Sequence, residues 1–81
     1  MNNMSEEAKI ISDKIDLLND SIIFSDKKIE AAISSLDSLD SKGMLTDRKR
    51  KLLVGEVETH YKRIKNDKEA LREIEKNLGH E

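Results

Sequence analysis

Two step sizes govern this chain. From Met4 onward, apolar or small residues recur at alternating intervals of four and three: Met4, Ala8, Ile11, Ile15, Leu18, Ile22, Ser25, Ile29, Ala32, Leu36 and Leu39. That spacing draws one stripe along one face of a helix and is the seam of a coiled coil. A second seam follows: Leu53, Val57, His60, Ile64, Asp67, Leu71, Ile74 and Leu78, interrupted by the polar His60 and Asp67.

Between the seams lies DSKGMLTD, residues 40–47. Gly43 suits the left-handed conformation that ends a helix, and Met44 then falls where it can touch Leu39. Thr46 suits the N-cap of the next helix, with Asp47 in the first turn, where a negative charge is favourable. Ser5 followed by Glu6 and Glu7 is another helix start, and Gly79 is a stop. The reading is therefore one domain, residues 1–81, with a helix over about 5–41, a turn over about 42–45, a helix over about 46–78 and a tail of 79–81. So short a turn folds the helices antiparallel. In that register Leu36 meets Leu53, Ala32 meets Val57, Ser25 meets Ile64, Leu18 meets Leu71, Ile15 meets Ile74 and Ile11 meets Leu78. Every seam position finds another, so the expected fold class is all-α, an antiparallel two-helix hairpin of coiled-coil type.

Composition agrees with long helices. There is no proline, glycine occurs only at 43, 55 and 79, and 40% of residues are charged. Residues 1–45 carry five basic and nine acidic groups, whereas residues 46–78 carry ten and seven. An acidic first helix and a basic second helix attract one another. The net charge of −2 argues against a dedicated nucleic-acid binder, which usually shows a clearly basic domain. With no cysteine there is neither a disulfide framework nor thiolate chemistry. The opening MNNMSEEAKII lacks a signal-peptide pattern, and the longest apolar run is Ile22–Phe24, so no membrane span and a cytoplasmic location are expected.

Helix 1 carries more apolar surface than a hairpin seam requires. Ile10, Leu17, Phe24 and Ala31 form a second row spaced seven apart, Ile23 adjoins it, and Ile33 stands on the seam's other shoulder. A two-stranded hairpin needs only a narrow stripe. Each such large side chain is worth about 1.5–3 kcal/mol when buried, and an exposed patch of them marks an interaction site. The expected interface is therefore Ile10, Leu17, Ile23, Phe24 and Ala31. It is covered by a second hairpin in a four-helix bundle homodimer, or by a different protein docking on helix 1.

The run Arg48, Lys49, Arg50, Lys51 opens helix 2. Successive helical residues point 100° apart, so these four charges cannot form one flat patch, although Asp37 and Asp40 lie across the turn to pair some of them. Lys51, Lys62, Lys65, Arg72 and Lys76 share one face of helix 2, but so do Glu58, Glu69 and Glu73. Mixed signs with pairs such as Glu58–Lys62 read as solvated helix surface. The rival reading is a dimeric nucleic-acid-binding regulator using Arg48, Lys49, Arg50, Lys51, Lys62, Arg63 and Lys65.

His60 and Asp67 breach the second seam, Ser25 and Ala32 permit close helix approach, and Gly55 stands inside helix 2 at a cost of about 1 kcal/mol relative to alanine. Glu56 and His60 are two ligand types one turn apart, too few for a metal site. No histidine and carboxylate surround a serine, no glycine-rich phosphate loop occurs, and two helices offer little concave surface. The expectation is a non-enzyme with no cofactor and no small-molecule substrate: an adaptor, regulator, inhibitor or chaperone-like subunit. In length and helix pattern the chain resembles the small two-helix chaperones of bacterial type III secretion systems and the RNA-binding hairpin dimers of plasmid copy control. The likeness covers the shape of the chain, without a shared motif. The KGMLTD turn is also loosely similar, in its glycine–aliphatic–threonine order, to that of short C-terminal oligomerisation modules.

Overall fold

A computed structural model of the chain describes residues 6–78. Those residues form two α-helices, α1 (Glu6–Ser41) and α2 (Asp47–Leu78), packed against each other. Met4, the Ser5 start, the Gly79 stop and the tail to Glu81 lie outside the described residues. The molecule is a rod of 63 × 21 × 14 Å, as two helices lying side by side must be.

The turn closes as a Schellman motif. Gly43 takes φ +68°, and its N–H donates to the Asp40 carbonyl at 3.0 Å while the Met44 N–H donates to the Leu39 carbonyl at 2.8 Å. Met44 reaches Leu39 through its backbone; its own side chain stays largely exposed. Thr46 then caps α2: its Oγ1 accepts from the Lys49 N–H at 3.2 Å, and its carbonyl accepts the first helical bond, from the Arg50 N–H at 2.9 Å. Orphaned groups at both helix ends thus find partners within a few residues, in a turn short enough to hold the helices antiparallel.

Label the seam positions a and d. In α1 the a positions are Ala8, Ile15, Ile22, Ile29 and Leu36, and the d positions are Ile11, Leu18, Ser25, Ala32 and Leu39. In α2 the d positions are Leu53, His60, Asp67 and Ile74, and the a positions are Val57, Ile64, Leu71 and Leu78. Every one of them is buried or half-buried except Leu78, which is exposed where the hairpin opens at its free end. The expected register is visible in the clefts: Ile15, Leu71 and Ile74 line one, and Ile11 and Leu78 line another. Among the described residues the buried ones are Ser25, Ile29 and Ala32, at mid-length in α1. Two of these are small, which permits close helix approach there.

The two described glycines predict opposite outcomes. A side chain at Gly43 would sit in the left-handed region, so Gly43→Ala should destabilise the hairpin by about 1 kcal/mol. A Cβ at Gly55 would meet nothing within 4 Å, and Gly55→Ala should stabilise α2 by about 1 kcal/mol. Urea unfolding followed by circular dichroism measures both signs.

Candidate protein interface

Ten large apolar side chains are exposed among the described residues. Met44 sits at the turn and Leu78 at the open end. The other eight divide by heptad position between the two flanks of the hairpin. Ile10, Leu17 and Phe24 of α1, with Leu52 of α2, occupy the flank toward which the d positions lean. Ile23, Ile33, Val54 and Tyr61 occupy the flank toward which the a positions lean.

The first flank has a polar floor. The d positions under it include Ser25, His60 and Asp67, and the Ser25 Oγ, the His60 Nδ1 and the Asp67 Oδ2 are buried without a hydrogen-bond partner. Phe24 covers part of this layer. Its ring meets the His60 ring edge-on, with centroids 6.3 Å apart and planes at 75°, while the Lys28 Nζ lies 5.4 Å over its face. The expected interface residue Phe24 is therefore partly used within the hairpin and is 50% exposed. Ile10 and Leu17 remain free at 62% and 69%, and Ala31 continues their strip as another exposed residue.

The second flank has an aliphatic floor. Ile22, Ile29 and Ile64, all a positions, line a groove together with Ile23, Asp26, Tyr61 and Lys68. Ile23, expected beside the Ile10–Leu17–Phe24 row, thus stands across α1 from that row, because one residue's advance turns the helix by 100°. Tyr61, Val54 and Leu52 escaped the sequence reading. For Val54 and Tyr61 the sequence carries a signal: they follow Leu53 and His60, as Ile33 follows Ala32, each one place past a d position, which sets all three on one flank.

The residues of the nucleic-acid reading are not gathered in one patch. Arg48, Lys49, Arg50 and Lys51 are all exposed around the first turn of α2, and the one ion pair among the described residues joins Arg50 to Asp47 at 3.7 Å, not to Asp37 or Asp40 across the turn. Lys62 and Glu58 do not form such a pair. Lys62, Arg63 and Lys65 are exposed at three different heptad positions, and Lys65 shares its surface with Tyr61, Lys68, Glu69 and Arg72. Among the described residues no three metal-ligating side chains are gathered, and no helix is long and apolar enough to cross a membrane. Compared with protein-family models, curated proteins and solved structures, the chain matches none.

The polar layer makes its own prediction. A buried carboxylate oxygen without a partner costs about 1–3 kcal/mol. Asp67→Leu should raise the stability of the hairpin by that order in chemical denaturation at neutral pH. A fall in stability would mean that the carboxylate is satisfied by a group outside the isolated hairpin.

Proposed function

We propose that the chain is a non-enzymatic protein–protein interaction module whose docking strip is Ile10, Leu17 and Phe24 on α1, continued by Ala31. The observation that carries this reading is the exposure of Ile10 and Leu17, at 62% and 69%, one heptad apart on a face with no intramolecular partner helix. Residues spaced seven apart form an apolar ridge against which a partner's amphipathic helix can pack lengthwise. Phe24 is already oriented by His60 and Lys28, which lowers the cost of ordering it at an interface. The nucleic-acid reading has less support, because Arg48, Lys49, Arg50, Lys51, Lys62, Arg63 and Lys65 are dispersed around α2 among carboxylates. Specific binding to phosphates would be expected to use a purer basic stripe.

A photo-cross-linking residue placed at Leu17 should trap the partner in cells, and one placed at Lys62 should not. Leu17→Glu should weaken the trapped interaction about tenfold or more, since burying one leucine is worth about 1.5–3 kcal/mol and each factor of ten is about 1.4 kcal/mol. The helical circular dichroism should be unchanged. If Leu17→Glu left binding intact while Lys62→Glu, Arg63→Glu and Lys65→Glu together abolished it, the assignment would move to α2.

A further inference from the structure

We propose that a second copy of this chain packs on the opposite flank, the one marked by Ile23, Ile33, Val54 and Tyr61, with the acidic edge of each α1 lying over the basic edge of the other copy's α2. The two hairpins are related by a two-fold axis parallel to their length. This is independent of the docking strip assigned above, which faces away from it.

The first argument is area. The chain exposes 6539 Å², where a compact monomer of 9.3 kDa exposes only about 5,000 Å². Its radius of gyration is 18.4 Å, against about 12 Å for a compact domain of this length. A stable interface buries about 800 Å² on each partner. The surplus surface accommodates one such interface.

The second argument is what the flank is made of. Its groove is floored by Ile22, Ile29 and Ile64, and Tyr61 stands at its rim, 61% exposed. The other flank makes a poorer symmetric contact. Its floor is the polar layer of Ser25, His60 and Asp67, and pairing two Ile10–Leu17–Phe24–Ala31 strips antiparallel brings Lys14 of one copy near Lys28 of the other.

The third argument is charge. Between residues 16 and 40 the α1 edge of this flank presents Asp16, Asp26, Glu30, Asp37 and Asp40 and no cation. Between residues 51 and 72 the α2 edge presents Lys51, Lys65, Lys68 and Arg72 against the carboxylates Glu58 and, beside Lys65 and Arg72, Glu69. A two-fold axis across the hairpin would stack acidic α1 on acidic α1. An axis along the hairpin keeps every residue at its own level and sets α1 over α2. Asp16 of one copy then lies level with Arg72 of the other, Asp37 with Lys51, and Asp26 within a turn of Lys65. Glu30 against Glu58 is the single like-charge encounter. The same surface is thus complementary to itself in one orientation and repulsive in the other, which is how an isologous interface selects its geometry.

Light scattering after size exclusion, on the whole chain at micromolar concentration, should read twice 9.3 kDa. Tyr61→Glu should halve that mass with helicity retained, and Leu17→Glu should leave it unchanged. Charge reversal supplies a second, independent measurement. A chain with Asp16→Lys and Asp37→Lys, and another with Lys51→Glu and Arg72→Glu, should each dimerise about tenfold or more weakly than the parent. Their equimolar mixture should recover the parent affinity as a heterodimer, because each then meets the opposite sign. A parent chain that is monomeric throughout overturns the proposal. So does a dimer broken by Leu17→Glu but not by Tyr61→Glu, or a mixture that associates no better than its separate components.

Discussion

Two helices share one line of contact, and everything apolar off that line must find its cover elsewhere. The hairpin buries a single seam, tightest at Ser25, Ile29 and Ala32. Small residues at two of those positions let the helices come close, but they contribute little apolar area of their own. Most of the remaining seam is only half-buried, because a rod this thin has almost no interior. Apolar side chains on both flanks therefore remain in water, and the molecule's relation to other chains follows from its shape.

The turn converts that line of contact into a specific register. Gly43 lets the chain reverse while the last carbonyls of α1 keep their partners, and Thr46 satisfies a free N–H at the start of α2. Loosening either end would let α2 slide along α1, and a slide would bring His60 and Asp67 against different residues. As it stands, Ser25, His60 and Asp67 share the middle of the seam, all at d positions, with polar atoms that no neighbour satisfies. Such a layer costs stability. Its established use in coiled coils is to specify alignment and partner number, a role consistent with its central place here.

The a and d rows give the two flanks different characters. Every a position is aliphatic, from Ala8 to Leu36 and from Val57 to Leu78, whereas the d rows are broken at mid-length. One flank is therefore floored by aliphatic side chains and edged by opposite charges on its two helices. The other has a polar floor, with Phe24 clasped between His60 and Lys28. A chain with two unlike faces can hold a copy of itself on one and a different protein on the other without competition between them.

Much of this was legible in the sequence. The seams, the Gly43 turn and the Thr46 cap are local features, set by a repeat of seven, a positive φ and a hydroxyl three residues before an N–H. The excess apolar row of Ile10, Leu17 and Phe24 was legible for the same reason. What only the tertiary structure decided is how rows on different helices combine. That Phe24 reaches His60, and that Ile23 and Tyr61 line one groove, depend on the distance and rotation between α1 and α2. Periodicity within one helix says which residues share its face. The side chains that lie across from that face are set by the packing of two helices, and no pattern along a single helix contains that information.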